Sequence, residues 1–437
     1  MPTSLRRIAE KSALRKEHRF QNLVNELTPQ YLTWCWGQLN KKAAPGVDKV
    51  TVREYGKNLS ENIADLWGRL KRGAYRAKLI ARRFIPKTGG KQRPLGLPAT
   101  EDKVLQTGVA KILEAIYEPD FRDCSFGYRP HIGPKNAVKE LSKRLQYGKF
   151  NYIVEADIRS FFDSIDHEIL LEMLTKRIDD RKFLGLLRKW LKAGILEKDG
   201  KITDPVAGTP QGGIVSPVLA NIYLHYALDE WFEDVVKLHC RGQIKLVRYA
   251  DDFVCAFQCR DDAERFYKVL GKRLEKFGLS LAEEKTRIIY FSRFKVKDNK
   301  RFEFLGFEYR WGKDRRQRPL VKLRTSRKKY RASLKSFSEW CRKNRHLRLT
   351  DLFKKLNLKL RGHYNYYGVI GNFESLSDFF YHAMRILFKW LNRRSQRKSF
   401  NWKGFNELLK HFRPERPRIT EKMKQIQFSM FNAQQSA

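Results

Sequence analysis

The 437-residue chain carries 90 Lys and Arg against 48 Asp and Glu, a formal charge of +42, with 42% hydrophobic and 13% aromatic residues. Such apolar content supports a packed core in two or three structural units and excludes a disordered chain. The charge surplus exceeds what solubility requires and points to a large polyanionic partner, whereas no apolar run of about 18 residues and no one-sided basic amphipathic stretch points to a membrane.

The cysteines Cys35, Cys124, Cys240, Cys255, Cys259 and Cys341 form no Cys-x-x-Cys pair, so reduced thiols without structural zinc are expected. Met1 to Phe20 is basic but has no apolar segment of signal-peptide length, which leads to the expectation of a cytoplasmic protein.

In chain order, residues 1–77 read as helical, with Leu23, Leu27, Tyr31, Trp34 and Leu39 on one apolar face, followed by the loop Ala43-Ala44-Pro45-Gly46-Val47-Asp48. Residues 78–310 mix short β-rich runs with helices. Within them, Ile85 to Pro98 reads as a basic hairpin with a Gly89-Gly90 turn, where Lys87 and Arg93 share a face and can clamp a triphosphate. A merely solvated hairpin is the bland alternative. Tyr152 to Asp157 reads as a strand, and Ile158 to Asp166 turns into a helix beginning near Asp166. Gly208 to Gly213 forms a Gly-rich loop that a ligand can approach closely, with Gln211 placed to touch an incoming nucleotide. Ser216-Pro217 then caps a helix bearing Leu219, Ile222, Tyr223, Tyr226 and Ala227 on one face. Leu246 to Tyr249 and Phe253 to Phe257 read as a hairpin with Ala250-Asp251-Asp252 at its tip.

If that hairpin lies beside the strand ending at Asp157, three carboxylates converge, and their repulsion calls for divalent cations. Magnesium suits hard oxygen ligands completed by substrate phosphates. Two such ions about 4 Å apart would activate a primer 3′-hydroxyl and stabilise departing pyrophosphate, which is nucleotidyl transfer. The alternative is that Asp251 and Asp252 are ordinary turn residues.

Residues 311–437 hold 32 Lys and Arg against 8 Asp and Glu, an excess of 24 in a region where Trp340, Leu352, Phe353, Leu356, Phe379, Phe380, Ile386, Leu387 and Trp390 recur at helical spacing. A folded, basic, helical domain with a nucleic-acid surface is expected. Its candidate RNA contacts are Arg324, Arg327, Lys328, Lys329, Arg393 and Arg394. Tyr364, Tyr366 and Tyr367 serve equally as base-stacking residues or as core.

In order and spacing these segments resemble the reverse transcriptases encoded by bacterial group II introns. The resemblance rests on Ala44 to Asp48, the 85–98 hairpin, Ser125-Phe126-Gly127-Tyr128-Arg129-Pro130, Asp157 to Asp166, Pro210-Gln211-Gly212-Gly213, Tyr249-Ala250-Asp251-Asp252, Leu281 to Thr286, Phe304-Leu305-Gly306-Phe307, Gly362 to Gly368 and Trp390 to Ser395. It implies an α+β right-hand polymerase with a helical N-terminal extension leading into the fingers (1–77), fingers and palm with an antiparallel sheet (78–310), a helical thumb or maturase domain (311–395) and a basic C-terminal segment, a DNA-binding remnant (396–437). It also implies metal ligation by Asp157, Asp251 and Asp252 with Ile158, and nucleotide contacts from Gln211, Arg93, Lys87, Ile158 and Lys285. Phe162 would lie beneath the incoming sugar. The expected cofactor is Mg2+, two ions, with Mn2+ as a substitute. The expected partners are structured intron RNA, an RNA template with DNA primer, deoxynucleoside triphosphates and target DNA, in the bacterial cytosol or nucleoid. Many relatives carry a His- and Cys-bearing endonuclease after the thumb. The sequence reaches Ala437 without its paired cysteines, so second-strand cleavage is not expected. Two competing readings are a related polymerase serving DNA repair or phage defence, and an RNA-binding splicing cofactor without polymerase activity.

Overall fold

The computed structural model describes residues 2–86, 92–197, 199–205, 207–209, 212–294, 300–394 and 399–421. The chain forms two compact units, one of Met1–Gly133 with Val154–Ile288, the other of Pro134–Ile153 with Ile289–Ala437.

At the centre of the first unit is the helix Thr100–Tyr117, buried almost all round because Val104, Leu105, Val109, Ile112, Leu113 and Ile116 supply apolar contact on several faces. Its buried polar residues are satisfied. Glu101 pairs with Arg69 at 2.6 Å, and Asp102 accepts from the Tyr75 hydroxyl at 2.6 Å and from the Lys78 amide at 3.1 Å. Helices Thr3–Leu14 and Pro29–Gln38 pack on it, and Leu59–Lys71 packs on the latter. Thr28 caps Pro29–Gln38 by accepting from the Tyr31 amide at 3.3 Å. The expected apolar face is interrupted there. A separate 3-10 turn, Leu23–Glu26, precedes the proline, so Leu32 and Cys35 join Tyr31 in the interior while Trp34 and Leu39 stay half-buried.

The strands lying wholly or, for β3 and β8, partly in this unit are β1 (Ile80–Pro86), β2 (Gln92–Leu97), β3 (Tyr152–Ala156), β4 (Ile195–Leu196), β5 (Ile202–Thr203), β6 (Ile244–Tyr249), β7 (Asp252–Phe257) and β8 (Arg287–Tyr290). One sheet has the order β2-β1-β4-β5 and the other β6-β7-β3-β8. The first is not wholly antiparallel as expected, since β1 and β4 run parallel with Ile80 opposite Ile195. In the second, Phe253 to Phe257 are buried on both faces, and helix Arg260–Glu275 packs on β7 through Phe266, whose ring lies 5.2 Å from Phe257. Ser216 does not cap the helix Ser216–Leu224. Val215 holds the cap position, and Ser216-Pro217 open the first turn, where proline's missing N–H leaves nothing unpaired.

The second unit contains an antiparallel sheet of β9 (Phe302–Phe304), β10 (Phe307–Lys313) and β11 (Pro319–Thr325), then helices Arg327–Asn344, Leu349–Tyr367, Phe373–Leu391 and Trp402–Phe412. The third region is therefore not helical from its start. The expected boundary after residue 310 falls inside β10, and the units part between 288 and 289. Val321 to Thr325 alternates aliphatic or threonine positions with Lys322 and Arg324, which is the period of a strand. Residues 399–421, expected as a separate remnant, pack into this same unit. Phe405 is fully buried, Phe412 stacks on Phe353 at 4.4 Å, and the Thr420 amide donates to the Gly368 carbonyl at 2.9 Å. Among the described residues all six cysteines are free thiols, and no helix is long and apolar enough to cross a membrane.

Candidate active site

Asp157 follows the last residue of β3, and the neighbouring strand β7 begins with Asp252. Tyr249 and Asp252 face each other in register, which leaves Ala250 and Asp251 as a two-residue turn. Ala250 adopts φ 56°, a left-handed conformation that alanine rarely takes unless its surroundings impose it.

Those surroundings are explicit. The fully buried guanidinium of Arg248 donates from Nη1 to the Ala250 carbonyl at 3.1 Å and to Asn221 Oδ1 at 2.8 Å. It also donates from Nη2 to Ser125 Oγ at 2.7 Å, and from Nε and Nη2 to the two carboxylate oxygens of Asp229. The segment Cys124 to Phe126 runs beside β6, with the Arg248 amide donating to the Cys124 carbonyl and the Phe126 amide to the Arg248 carbonyl, both at 2.8 Å. Gly127 then lies against the turn so closely that a Cβ would collide with the Ala250 backbone nitrogen. Glycine is required there by close approach.

The Asp157 carbonyl accepts from the Ala282 amide at 2.8 Å and the Arg159 amide donates to the Ser280 carbonyl at 2.9 Å, flanking a bridge between Ile158 and Leu281. This docks the Leu281 to Thr286 segment and brings the Lys285 ammonium onto the Asp157 carboxylate. The hydrogen bond to Asp157 raises the Lys285 pKa, and the negative charges of Asp157, Glu284 and Asp252 add to that rise. Among the described residues no group of three or more His, Cys, Asp or Glu side chains is close enough together to hold a metal ion, and the cation that meets Asp157 is Lys285.

Tyr128 ties the remaining parts together. Burial raises its pKa, the charges of Asp251 and Asp252 raise it further, and Arg93 opposes them. Its ring also meets Phe162 edge-on at 6.3 Å. Phe162 is buried at 7% exposure and its carbonyl accepts from the Thr209 amide at 2.8 Å. Around the Gly-rich loop, His167 Nε2 and the Gly208 carbonyl lie 2.6 Å apart, and the Ile214 amide donates to Gln106 Oε1 at 3.0 Å. Gly208 (φ 91°) and Gly212 (φ 114°) adopt left-handed backbone. A Cβ on Gly212 would lie 2.5 Å from the Gly96 carbonyl of β2. Arg93 is exposed on β2 opposite Ile85, whereas Lys87 and Gln211 lie outside the described residues.

Of the residues named from the sequence, Asp157 meets Lys285 and lies at the end of the strand beside the one that Asp252 begins, while Phe162 touches Tyr128, on which the charges of Asp251, Asp252 and Arg93 act. Sequence reasoning missed Arg248, Asp229, Tyr128 and Gln106. A cation inside the otherwise apolar run Leu246 to Ala250, and an acid following the largely apolar run Leu219 to Leu228, were the available signals.

The basic candidates of the second unit separate into two kinds. Arg327, Lys328, Lys329 and Arg393 are exposed. Arg324 instead pairs with Glu308 at 2.6 Å, and Arg394 donates to the Leu347 carbonyl at 3.0 Å, its pKa lowered by burial. Tyr364 and Tyr367 are buried, so they serve as core. Tyr366 is 40% exposed and stacks on Phe307 at 6.4 Å.

Residues 85–309 match the family described as reverse transcriptase (RNA-dependent DNA polymerase), and residues 328–406 match the group II intron, maturase-specific domain. The chain is 32% identical to the group II intron-encoded protein LtrA of Lactococcus lactis subsp. cremoris, over 74% of this chain and 66% of that protein's length. It is 31% identical to protein YkfC of Escherichia coli (strain K12), over 57% of this chain and 74% of that protein. A Candida albicans telomerase structure matches 82% of this chain and 67% of its own with TM-score 0.44 and 14% identity, too slight a likeness to carry an argument.

Proposed function

Because this chain belongs to the reverse transcriptases of the group II intron type, we propose that it copies intron RNA into DNA from a DNA primer and assists splicing and retrotransposition by binding that RNA through its second unit. The observation that carries this reading is the turn that presents Asp251 and Asp252, its Ala250 pinned in a left-handed conformation, next to the strand that delivers Asp157.

Asp157, Asp251 and Asp252, with the Ile158 carbonyl, would hold two magnesium ions, and manganese could replace them. The donors are hard oxygens, and the Lys285 ammonium on Asp157 marks where positive charge is needed. When bound, such ions lower the pKa of the primer hydroxyl and stabilise the leaving pyrophosphate. Arg93, with Lys87 and Gln211, holds the deoxynucleoside triphosphate. Lys285 shifts from Asp157 to a phosphate as the site loads. Phe162, braced by Tyr128, lies under the sugar and excludes a 2′-hydroxyl. Arg327, Lys328, Lys329 and Arg393 meet RNA phosphates, and target DNA supplies the primer. The N-terminal helices and the two sheets of the first unit form fingers and palm, and the helices after β11 form the thumb.

The test is primer extension on poly(rA)/oligo(dT) with Asp251→Asn. DNA synthesis should vanish while RNA affinity stays within about twofold, because a metal ligand is removed without touching the basic surface. Undiminished extension by the variant would refute the site assignment.

A further inference from the structure

The second unit contains a cleft that the polymerase reading does not use. It has a volume of about 370 Å³ and is lined by Lys329, Ala332, Ser333, Ser336 and Phe337 on helix Arg327–Asn344 and by Lys359, Leu360 and His363 on helix Leu349–Tyr367, with Phe379 at its base. Its origin is legible in residue size. Positions 329, 332, 333, 336 and 337 make one helical face, and the three in the middle are Ala332, Ser333 and Ser336. Side chains so short cannot close the gap to the facing helix. Helix Arg327–Asn344 packs instead on Phe373–Leu391, where the Phe337 and Phe379 rings meet edge-on at 6.1 Å.

The floor is aromatic and the rim is basic. Phe337, Leu360 and Phe379 are buried, and the His363 ring lies flat on Phe379 with centroids 3.7 Å apart. Burial depresses the His363 pKa to about 4, so at neutral pH the imidazole is uncharged and offers one N–H and one lone pair. Lys329 and Lys359 are exposed at the mouth, and among the described residues no carboxylate lines the cleft to compete with an anion. A site of this volume falls within the range of about 300–1,000 Å³ usual for small ligands. Flat aromatic rings, uncharged hydrogen-bonding groups and two cations match a base, a sugar and a phosphate respectively.

We propose that this cleft receives a single unpaired nucleotide of RNA, its base against His363 and Phe337, its sugar beside Ser333 and Ser336, and its phosphates on Lys329 and Lys359. All nine lining residues lie within the segment 328–406 that matches the maturase-specific domain, which favours structured RNA over other polyanions. The inference rests on the proposal that the second unit binds RNA and adds what it recognises there: an extruded base, in addition to charge.

Two RNA hairpins test it, one fully paired and one identical but for a single bulged 2-aminopurine, each titrated with the full-length protein and its variants. Wild type should bind the bulged hairpin at least about tenfold more tightly, with a change in 2-aminopurine fluorescence. Ala332→Leu and Ser336→Leu, which keep good helix formers on the surface while filling the cleft, should bring that ratio to about one and abolish the fluorescence change. Lys359→Ala should weaken the bulged hairpin more than the paired one. Equal affinities in wild type, or equal losses for both hairpins in the leucine variants, would overturn the cleft assignment and leave the polymerase reading intact. Failure of wild type to bind either hairpin would instead strike RNA binding itself. Displacement of the bulged hairpin by millimolar AMP, with the paired one retained, would overturn RNA as the ligand in favour of a free mononucleotide.

Discussion

Arg248 and Asp229 form an ion pair with no solvent exposure on either side chain, Nε to Oδ1 at 2.7 Å, and the same guanidinium grips the Ala250 carbonyl in the turn that presents Asp251 and Asp252. A charge with no access to water must be paired, and here the pairing also fixes the turn. Asp229→Ala should therefore destabilise the protein by about 3–5 kcal/mol, because it leaves the Arg248 charge buried and alone. Asp229→Asn keeps one acceptor and should fold, yet slow DNA synthesis by about 10–100-fold through a small displacement of the turn, with the KM for nucleotide nearly unchanged. Urea denaturation and steady-state primer extension separate the two effects. A folded Asp229→Asn enzyme running at full rate would rule out this support of the turn.

Asp102 gives the central helix a pH dependence of defined sign. Burial pushes its carboxyl up to about 6, against the Tyr75 and Lys78 hydrogen bonds that lower it. The folded state therefore holds this proton more tightly than the unfolded chain. Asp102's contribution is most favourable below the unfolded pKa of about 4 and declines as pH rises through 6. Compared with Asp102→Asn, wild type should lose stability progressively between pH 4 and pH 6 and then level off. Urea midpoints collected across that range check the slope, and parallel curves would contradict it.

Phe162 is almost fully buried and braced by Tyr128 and Phe161, whose ring lies 5.5 Å away. Phe162→Ala should admit ribonucleotides, raising their incorporation at least about tenfold, and should also lower stability by about 3–5 kcal/mol as a buried ring is removed. Assays at 20 °C on variant protein shown to be folded by circular dichroism keep the two consequences apart. Unchanged sugar discrimination would mark Phe162 as core alone.

The cations of the second unit should divide in a salt titration. Replacing Arg327, Lys328 and Lys329 with alanine should reduce the slope of log affinity against log salt by about 0.7–0.9 for each phosphate left without its cation. Arg324→Ala should leave the slope alone, since Glu308 already neutralises that guanidinium. Filter binding to a structured intron RNA provides both slopes, and a fall with Arg324→Ala would show that this pair opens on RNA.

Much of the site is visible in the amino-acid order. Asp157 at a strand end and Asp251-Asp252 at a hairpin turn follow from local periodicity and turn chemistry, and the structure puts them on neighbouring strands. Arg248 was not legible as a support, because its partners Ser125, Asn221, Asp229 and Ala250 come from separate parts of the chain. Equally hidden was the start of the second unit. The strand period of Val321 to Thr325 was present, but the helical pattern and dense charge of the surrounding region masked it.

By itself, the sequence determined the large cationic excess, the order of strands, loops and acidic turns, and the presence of an aromatic-rich basic helical region, all of which depend on composition and near-neighbour spacing. Only the tertiary structure decided which of those charges face outward. Arg324 and Arg327 are three residues apart and identical in kind, yet the antiparallel register of β10 and β11 sets Glu308 directly opposite Arg324, while Arg327 begins an exposed helical turn. Whether a cation can meet a phosphate depends on what a distant segment brings within about 4 Å of it, and that distance is fixed by strand register and packing, which local spacing does not encode.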